Sequence, residues 1–195
     1  MATPNALLML KARQSLAGKW ESAALITVAW FAIVAIPVVV PIVGWIVRLL
    51  IKGPLALGLY TFFLCLVRGR EGKVEQLFGG FSRFGVSCIA SLAMLVLIVL
   101  WTLLLIVPGI IAILSYSMTF FIIADNPHID AFVAIEQSKR MMRGQKWKLF
   151  CLWCRFLGWI ALGIITLGIG FAWVGPYLFA SYAAFYQDLL DASPG

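Results

Sequence analysis

The sequence predicts an all-α, polytopic integral membrane protein, with six transmembrane helices arranged as three hairpins plus cytoplasmic interfacial amphipathic helices. Three observations predict it. Residues 84–124 form a run of 41 without one Asp, Glu, Lys, Arg or His. Hydrophobic residues make up 63% of the chain and charged ones 12%, against roughly 25% charged in an ordinary soluble domain. Finally, 13 of the 15 Lys and Arg residues fall in three segments set between apolar runs. A soluble fold of 195 residues would expose very large apolar patches at this composition. Lipid removes the difficulty, because the solvent is itself apolar.

The N-terminal segment 1–21 carries Lys11, Arg13 and Lys19 and reads as amphipathic. Its charges resemble those of a signal peptide. The apolar stretch 22–47 that follows exceeds the roughly 7–15 residues of a signal core, so it is expected to stay as an anchor. The first span is expected over 22–40 and the second over 45–67, joined by a turn within Pro41 to Gly44. The 68–83 loop follows, with Arg68, Arg70, Lys73 and Arg83. Its Val74, Leu77, Phe78 and Phe81 suggest a short interfacial segment, weakened by Gly79-Gly80.

A span needs roughly 20 apolar residues. The 41-residue run therefore suits two, 85–107 and 109–124, with Pro108-Gly109 as the turn. Asp125-Asn126-Pro127 reads as a turn and cap at the end of a span. Asp130 is the expected N-cap of a helix over 131–143. Ala131, Phe132, Ile135, Ser138 and Met142 take one face of it, and Glu136, Lys139, Arg140 and Arg143 the other. Gly144 supplies the stop. The fifth and sixth spans fall at 148–166 and 171–188, with Gly168 to Pro176 holding the turn. The whole is one membrane domain, 1–195.

Alternating six spans puts every basic segment on one side and the three uncharged turns on the other. The excess of Lys and Arg on cytoplasmic loops makes the basic side cytoplasmic, with both termini inside. Trp20 and Trp147 are expected at the inner boundary and Trp45 and Trp173 near the outer turns, while Trp30, Trp101 and Trp159 fall deeper and are expected to pack. Ser15-Leu-Ala-Gly-Lys-Trp20 and Met141-Met-Arg-Gly-Gln-Lys-Trp147 suggest a repeated unit: amphipathic helix, Gly, boundary Trp, hairpin.

Pro108-Gly-Ile-Ile-Ala-Ile-Leu-Ser-Tyr-Ser-Met118, Ala124-Asp-Asn-Pro127 and Gly144-Gln-Lys-Trp-Lys-Leu-Phe150 resemble a bacterial family of multi-pass membrane proteins. That family is catalogued only as domain of unknown function nine-seven-five. Gly53-Pro-Leu-Ala-Leu-Gly-Leu-Tyr60, with Leu167-Gly-Ile-Gly170 through Pro176-Tyr177, extends the likeness to roughly residues 10 to 190. The resemblance implies a bacterial inner (plasma) membrane location and brings no catalytic residues. A looser likeness to the membrane domains attached to some glycerophosphodiesterases hints at lipid-related surroundings, as analogy only.

Arg48 and Lys52 are the two basic residues outside the cytoplasmic segments, one helical turn apart. Gly53-Pro54, which should kink or break the helix, follows at once. With Tyr60 they form the candidate ligand-binding set. The pair either lines a polar cavity that takes an anionic group or snorkels to the outer interface. No carboxylate lies mid-span, and no Gly-x-Ser-x-Gly elbow, phosphate loop or HExxH occurs, so catalysis is not expected. Cys151-Leu-Trp-Cys154 stands without a second pair, and His128 is the lone histidine, so neither cofactor nor metal is expected. The expected role is binding or transport of a lipid or amphiphilic molecule. The competing one is an accessory subunit docking a partner through its cytoplasmic amphipathic helices. Expected partners are membrane lipids, with a possible homo-oligomer or membrane partner protein. The +7 charge is read as topology rather than nucleic-acid binding.

Overall fold

The computed structural model describes residues 4–35, 43–166 and 170–192, with side chains for all of these except 34, 35, 43–49, 162, 164, 165 and 171. The described residues are helical, with no strand. The expected turn residues Pro41 and Gly168, and the side chain of Trp45, lie outside them.

α1 (Asn5–Leu16) buries Leu8, Ala12 and Leu16, a stripe at four-residue spacing, and packs along the last helix, α10 (Phe171–Ala192). Gly18 then adopts φ 74, a left-handed corner that glycine takes without penalty, and α2 (Trp20–Ala35) leaves from it. The corner between α8 (Ala131–Met141) and α9 (Lys146–Ile165) is built the same way, with Gly144 at φ 78. The two segments matched in sequence therefore share a backbone device.

α3 (Val43–Val67) is the central helix, touching α1, α2 and α10 and everything from residue 76 to 104. It continues through Pro54, so the break that Gly53-Pro54 could make does not occur. Proline has no N–H, so the carbonyl of Leu50, four residues back, loses its helical donor. The Cys88 thiol donates to that carbonyl at 3.1 Å. The partner comes from α5 (Phe84–Leu104), which approaches closely because Gly53 faces the Ser87 backbone: a Cβ at 53 would lie 2.5 Å from the Ser87 carbonyl oxygen.

Before α5, the chain makes α4 (Gln76–Gly79) and a 3-10 turn, Gly80–Arg83. Gly80 lies against the Pro54 carbonyl and Gly58 against that of Leu77, so this segment rests on α3 backbone to backbone. Leu77 is buried, while Phe78, Phe81 and Phe84 stay exposed and stack in sequence at 6.4 Å.

The turn of the central hairpin lies at Leu105, three residues before the expected Pro108-Gly109. Leu105 is extended (φ −165), and α6 (Ile106–Tyr116) starts immediately after it. Pro108 falls in the first helical turn, where its missing N–H leaves nothing unpaired. Gly109 serves packing, since any Cβ there would overlap Thr102.

α6 stops at Tyr116 and α7 (Thr119–Asp125) resumes after two residues. Ser138 of α8 fills the break. Its hydroxyl donates to the Ser115 carbonyl at 2.8 Å and accepts from the Met118 N–H at 3.2 Å. α8 begins as expected, with Asp130 accepting from the Phe132 N–H at 3.0 Å. Ala131, Ile135, Ser138 and Met142 of the expected apolar face are buried, together with Ala134, while Phe132 at its edge is 63% exposed. The reason is that α8 packs sideways onto α5, α6 and α7 instead of lying free at an interface.

Three stretches are long and apolar enough to cross a membrane: Leu50–Val67, Gln76–Leu104 and Ile106–Asp125. Only 22% of the most apolar window within Gln76–Leu104 is buried, although its mean hydropathy is 2.5. Such a helix would be insoluble in water and is at home in lipid. Trp20–Ile33 is apolar but shorter, and α9 and α10 do not reach the same apolarity among the described residues.

Candidate functional site

Two ion pairs tie the helices together. The Arg68 guanidinium, just past α3, holds the Asp125 carboxylate through both oxygens at 2.5 and 2.7 Å. Its Nε donates to Gln187 at 3.0 Å, and the Tyr186 hydroxyl donates to Asp125 at 3.1 Å. The Asp125 hydrogen bonds are the main cause that holds Arg68 above the ordinary guanidinium pKa. Asp125 is thus a clasp between α3, α7 and α10, more than the turn residue expected. Arg83 caps the same end of α7 by donating to the carbonyls of Ile123 and Asn126, a favourable place for a cation. The second pair, Lys148 with Asp188 at 2.7 Å, joins α9 to α10, and its side chains are 14% and 9% exposed. The Lys148 ammonium also sits 5.3 Å from the Phe185 ring centroid.

The sequence-predicted set is not gathered into one place. The backbone of Arg48 belongs to α3, and its side chain lies outside the described residues. Lys52 is exposed. Tyr60 lies two turns further on, about 12 Å along the helix axis. There it packs among aromatic rings: Phe120 at 5.6 Å, Phe121 at 4.6 Å and Phe179 at 6.0 Å.

A cleft of about 360 Å³ opens instead between α1, α2, α9 and α10. Trp20, Trp159, Trp173 and Tyr177 wall it, and Arg13 contributes the cation. Gly163 and Gly170 keep the end open; a Cβ on Gly170 would lie 2.9 Å from the Gly163 Cα. Trp20 and Trp173, expected at opposite membrane boundaries, share this cleft. The cause is α1, which runs along α10 before the Gly18 corner releases Trp20. Trp159 and Trp101, expected to pack at depth, are 49% and 43% exposed and line clefts. Trp30 does pack, edge-on to Phe31 at 5.1 Å and Phe179 at 6.2 Å.

Arg13 has no ion-pair partner among the described residues. A guanidinium beside an aromatic, largely apolar slot can hold an anionic head while the slot takes an apolar tail. No group of three or more His, Cys, Asp or Glu among the described residues is placed to hold a metal ion. The four cysteines are free thiols. Sequence reasoning missed Arg13 because it counted among the topology charges. The available signal was the tryptophan content, eight residues, three of which meet here.

A family model described as Protein of unknown function (DUF975) matches residues 91–193, more than half of the chain. No curated protein and no solved structure matches it significantly.

Proposed function

The chain belongs to this family of unknown function, and we propose that it is a non-catalytic, multi-pass protein of the bacterial inner membrane that binds or moves an amphiphile with an anionic head. Six spans with both termini cytoplasmic complete the reading, against the observation that Trp20 with Trp173, and Lys139 and Lys146 with Trp101 and Pro108, share clefts although that topology sets them on opposite sides. The basic segments and uncharged turns support it. A reporter fused to the C-terminus that became active only outside the cytoplasm would overturn that topology.

The observation that carries the binding reading is the unpaired Arg13 beside a cleft walled by three tryptophans and a tyrosine. Protein purified in mild detergent should retain an anionic lipid or fatty acid detectable by native mass spectrometry. Arg13→Ala with Trp159→Ala should remove that species. Retention at the wild-type level overturns the assignment of the cleft. Arg48 and Lys52 stay in the proposal as a second cationic pair, tested by replacing both with Leu in the same measurement.

One observation favours an accessory role: the exposed row Phe78, Phe81, Phe84, which starts within the basic 68–83 loop. In that reading, changing all three to Ser leaves lipid retention intact and releases a co-purifying membrane partner.

A further inference from the structure

Nothing above uses the groove between the α5–α6 hairpin and the corner joining α8 to α9. It measures about 240 Å³, with Trp101, Pro108, Ile111 and Ala112 giving an apolar wall and Lys139 and Lys146 reaching it from the other side. Lys139 is on α8, and Lys146 is the first residue of α9. The left-handed corner at Gly144 turns one helix into the other, and both lysine residues line the one groove.

Their charge is not neutralised within the protein, whereas that of Arg140 and Lys148 is. Arg140 is paired with Glu136 at 2.5 Å, and Lys148 with Asp188 at 2.7 Å. Among the described residues, neither Lys139 nor Lys146 has a carboxylate partner. Two like charges sharing a groove repel, and an anion held between them relieves the repulsion. The apolar wall says what kind of anion. It continues into the exposed end of the hairpin, where Leu104, Ile106 and Val107 are 66–71% exposed. Inorganic phosphate would satisfy the lysines and leave the wall uncovered. A phospholipid satisfies both, its chain lying on the wall and its head under the ammonium groups.

We propose that this groove binds one net-anionic phospholipid, with Lys139 and Lys146 donating to phosphate oxygens and an acyl chain lying against Trp101, Pro108 and Ile111. The proposal shares with the preceding section only the premise that the chain lies in a membrane, because none of these residues lines the Arg13 cleft.

The test is lipid competition in native mass spectrometry, offering phosphatidylglycerol and phosphatidylcholine in equal amounts to the full chain. The wild type should prefer phosphatidylglycerol. Lys139→Gln with Lys146→Gln should cut that preference roughly tenfold, as expected for losing two charge-assisted hydrogen bonds in a partly wet groove. Arg70→Gln with Lys73→Gln removes the same charge from the exposed 68–83 loop and should leave the preference unchanged. Ile111→Trp keeps both lysines but fills the groove, and should lower retention of either lipid there. The proposal fails if the lysine double variant keeps the wild-type preference, or if the loop variant loses as much. It also fails if millimolar inorganic phosphate displaces the bound lipid. Should Arg13→Ala abolish the preference while the lysine variant preserves it, the anionic site is the other cleft and this inference is wrong. Should Arg13→Ala leave it intact and only the lysine variant abolish it, this inference stands and the Arg13 reading falls.

Discussion

Ser138→Ala removes one oxygen and strands two backbone groups. The serine is fully buried and bridges the break between α6 and α7, donating to the Ser115 carbonyl at 2.8 Å and accepting from the Met118 N–H at 3.2 Å. Alanine fits the same space, so no overpacking enters the comparison. A buried polar group left unpaired costs about 1–3 kcal/mol. For two groups, with partial relaxation of the break, roughly 2–4 kcal/mol is expected. In a chain of this size each kcal/mol moves Tm by roughly 2–4 °C, so a drop of about 5–15 °C should appear. The assay is thermal unfolding in one detergent, followed by the loss of the monodisperse peak in size-exclusion chromatography. Ser117→Ala is the control, because that hydroxyl bonds only the Leu114 carbonyl three residues back. A Ser138→Ala protein no less stable than Ser117→Ala would refute the idea that α8 is fastened through the break.

Cys88→Ala should destabilise by about 1 kcal/mol, because the Leu50 carbonyl left without a donor by Pro54 loses its remaining partner, while Cys88→Ser should retain most of the stability. Pro54→Ala restores the helical donor, so in that background Cys88→Ala should cost less; an undiminished cost rejects the compensation. Lys148→Met takes the ammonium from the 9%-exposed Asp188 carboxylate and should cost roughly 3 kcal/mol, whereas Lys148→Met with Asp188→Leu should recover much of it. A double variant less stable than the single one would contradict this account. Asp125→Asn should cost about 1–2 kcal/mol, since the amide puts a donor where one carboxylate oxygen accepts, so the partly exposed Arg68 clasp loses one hydrogen bond as well as the charge. Gly58→Ala should be far worse than Gly85→Ala, because a Cβ at 58 collides with the Leu77 carbonyl and one at 85 meets nothing within 4 Å; equal expression and Tm for both would reject the close crossing.

The parts of the fold legible in the sequence were those written in neighbouring residues. The Asp130 cap and the Gly144 corner depend on side-chain and backbone choices within four residues. The Leu105 turn was misplaced by three residues because Pro108 and Gly109 are turn formers elsewhere. Here one occupies the first turn of α6 and the other makes room for Thr102. Phe132 lies exposed at the edge of a face whose Ala131, Ile135, Ser138 and Met142 are buried, because the period of a helix says which residues share a side, not how far round a neighbour covers it. Sequence singled out Arg48 and Lys52 by their departure from the charge pattern, and Tyr60 as a polar group on the same helix. Arg13, Lys139 and Lys146 followed the pattern and so looked like topology charges, though each lines a cleft.

The sequence by itself determined that this chain is helical and suited to lipid, because both follow from composition and from the length of its charge-free runs. Tertiary structure alone decided which charges neutralise each other. Arg68 and Asp125 are 57 positions apart, and Lys148 and Asp188 are 40 apart. It thereby decided which cations are left over. Coulomb energy falls with distance in space, and distance along the chain says nothing about it until the helices have packed.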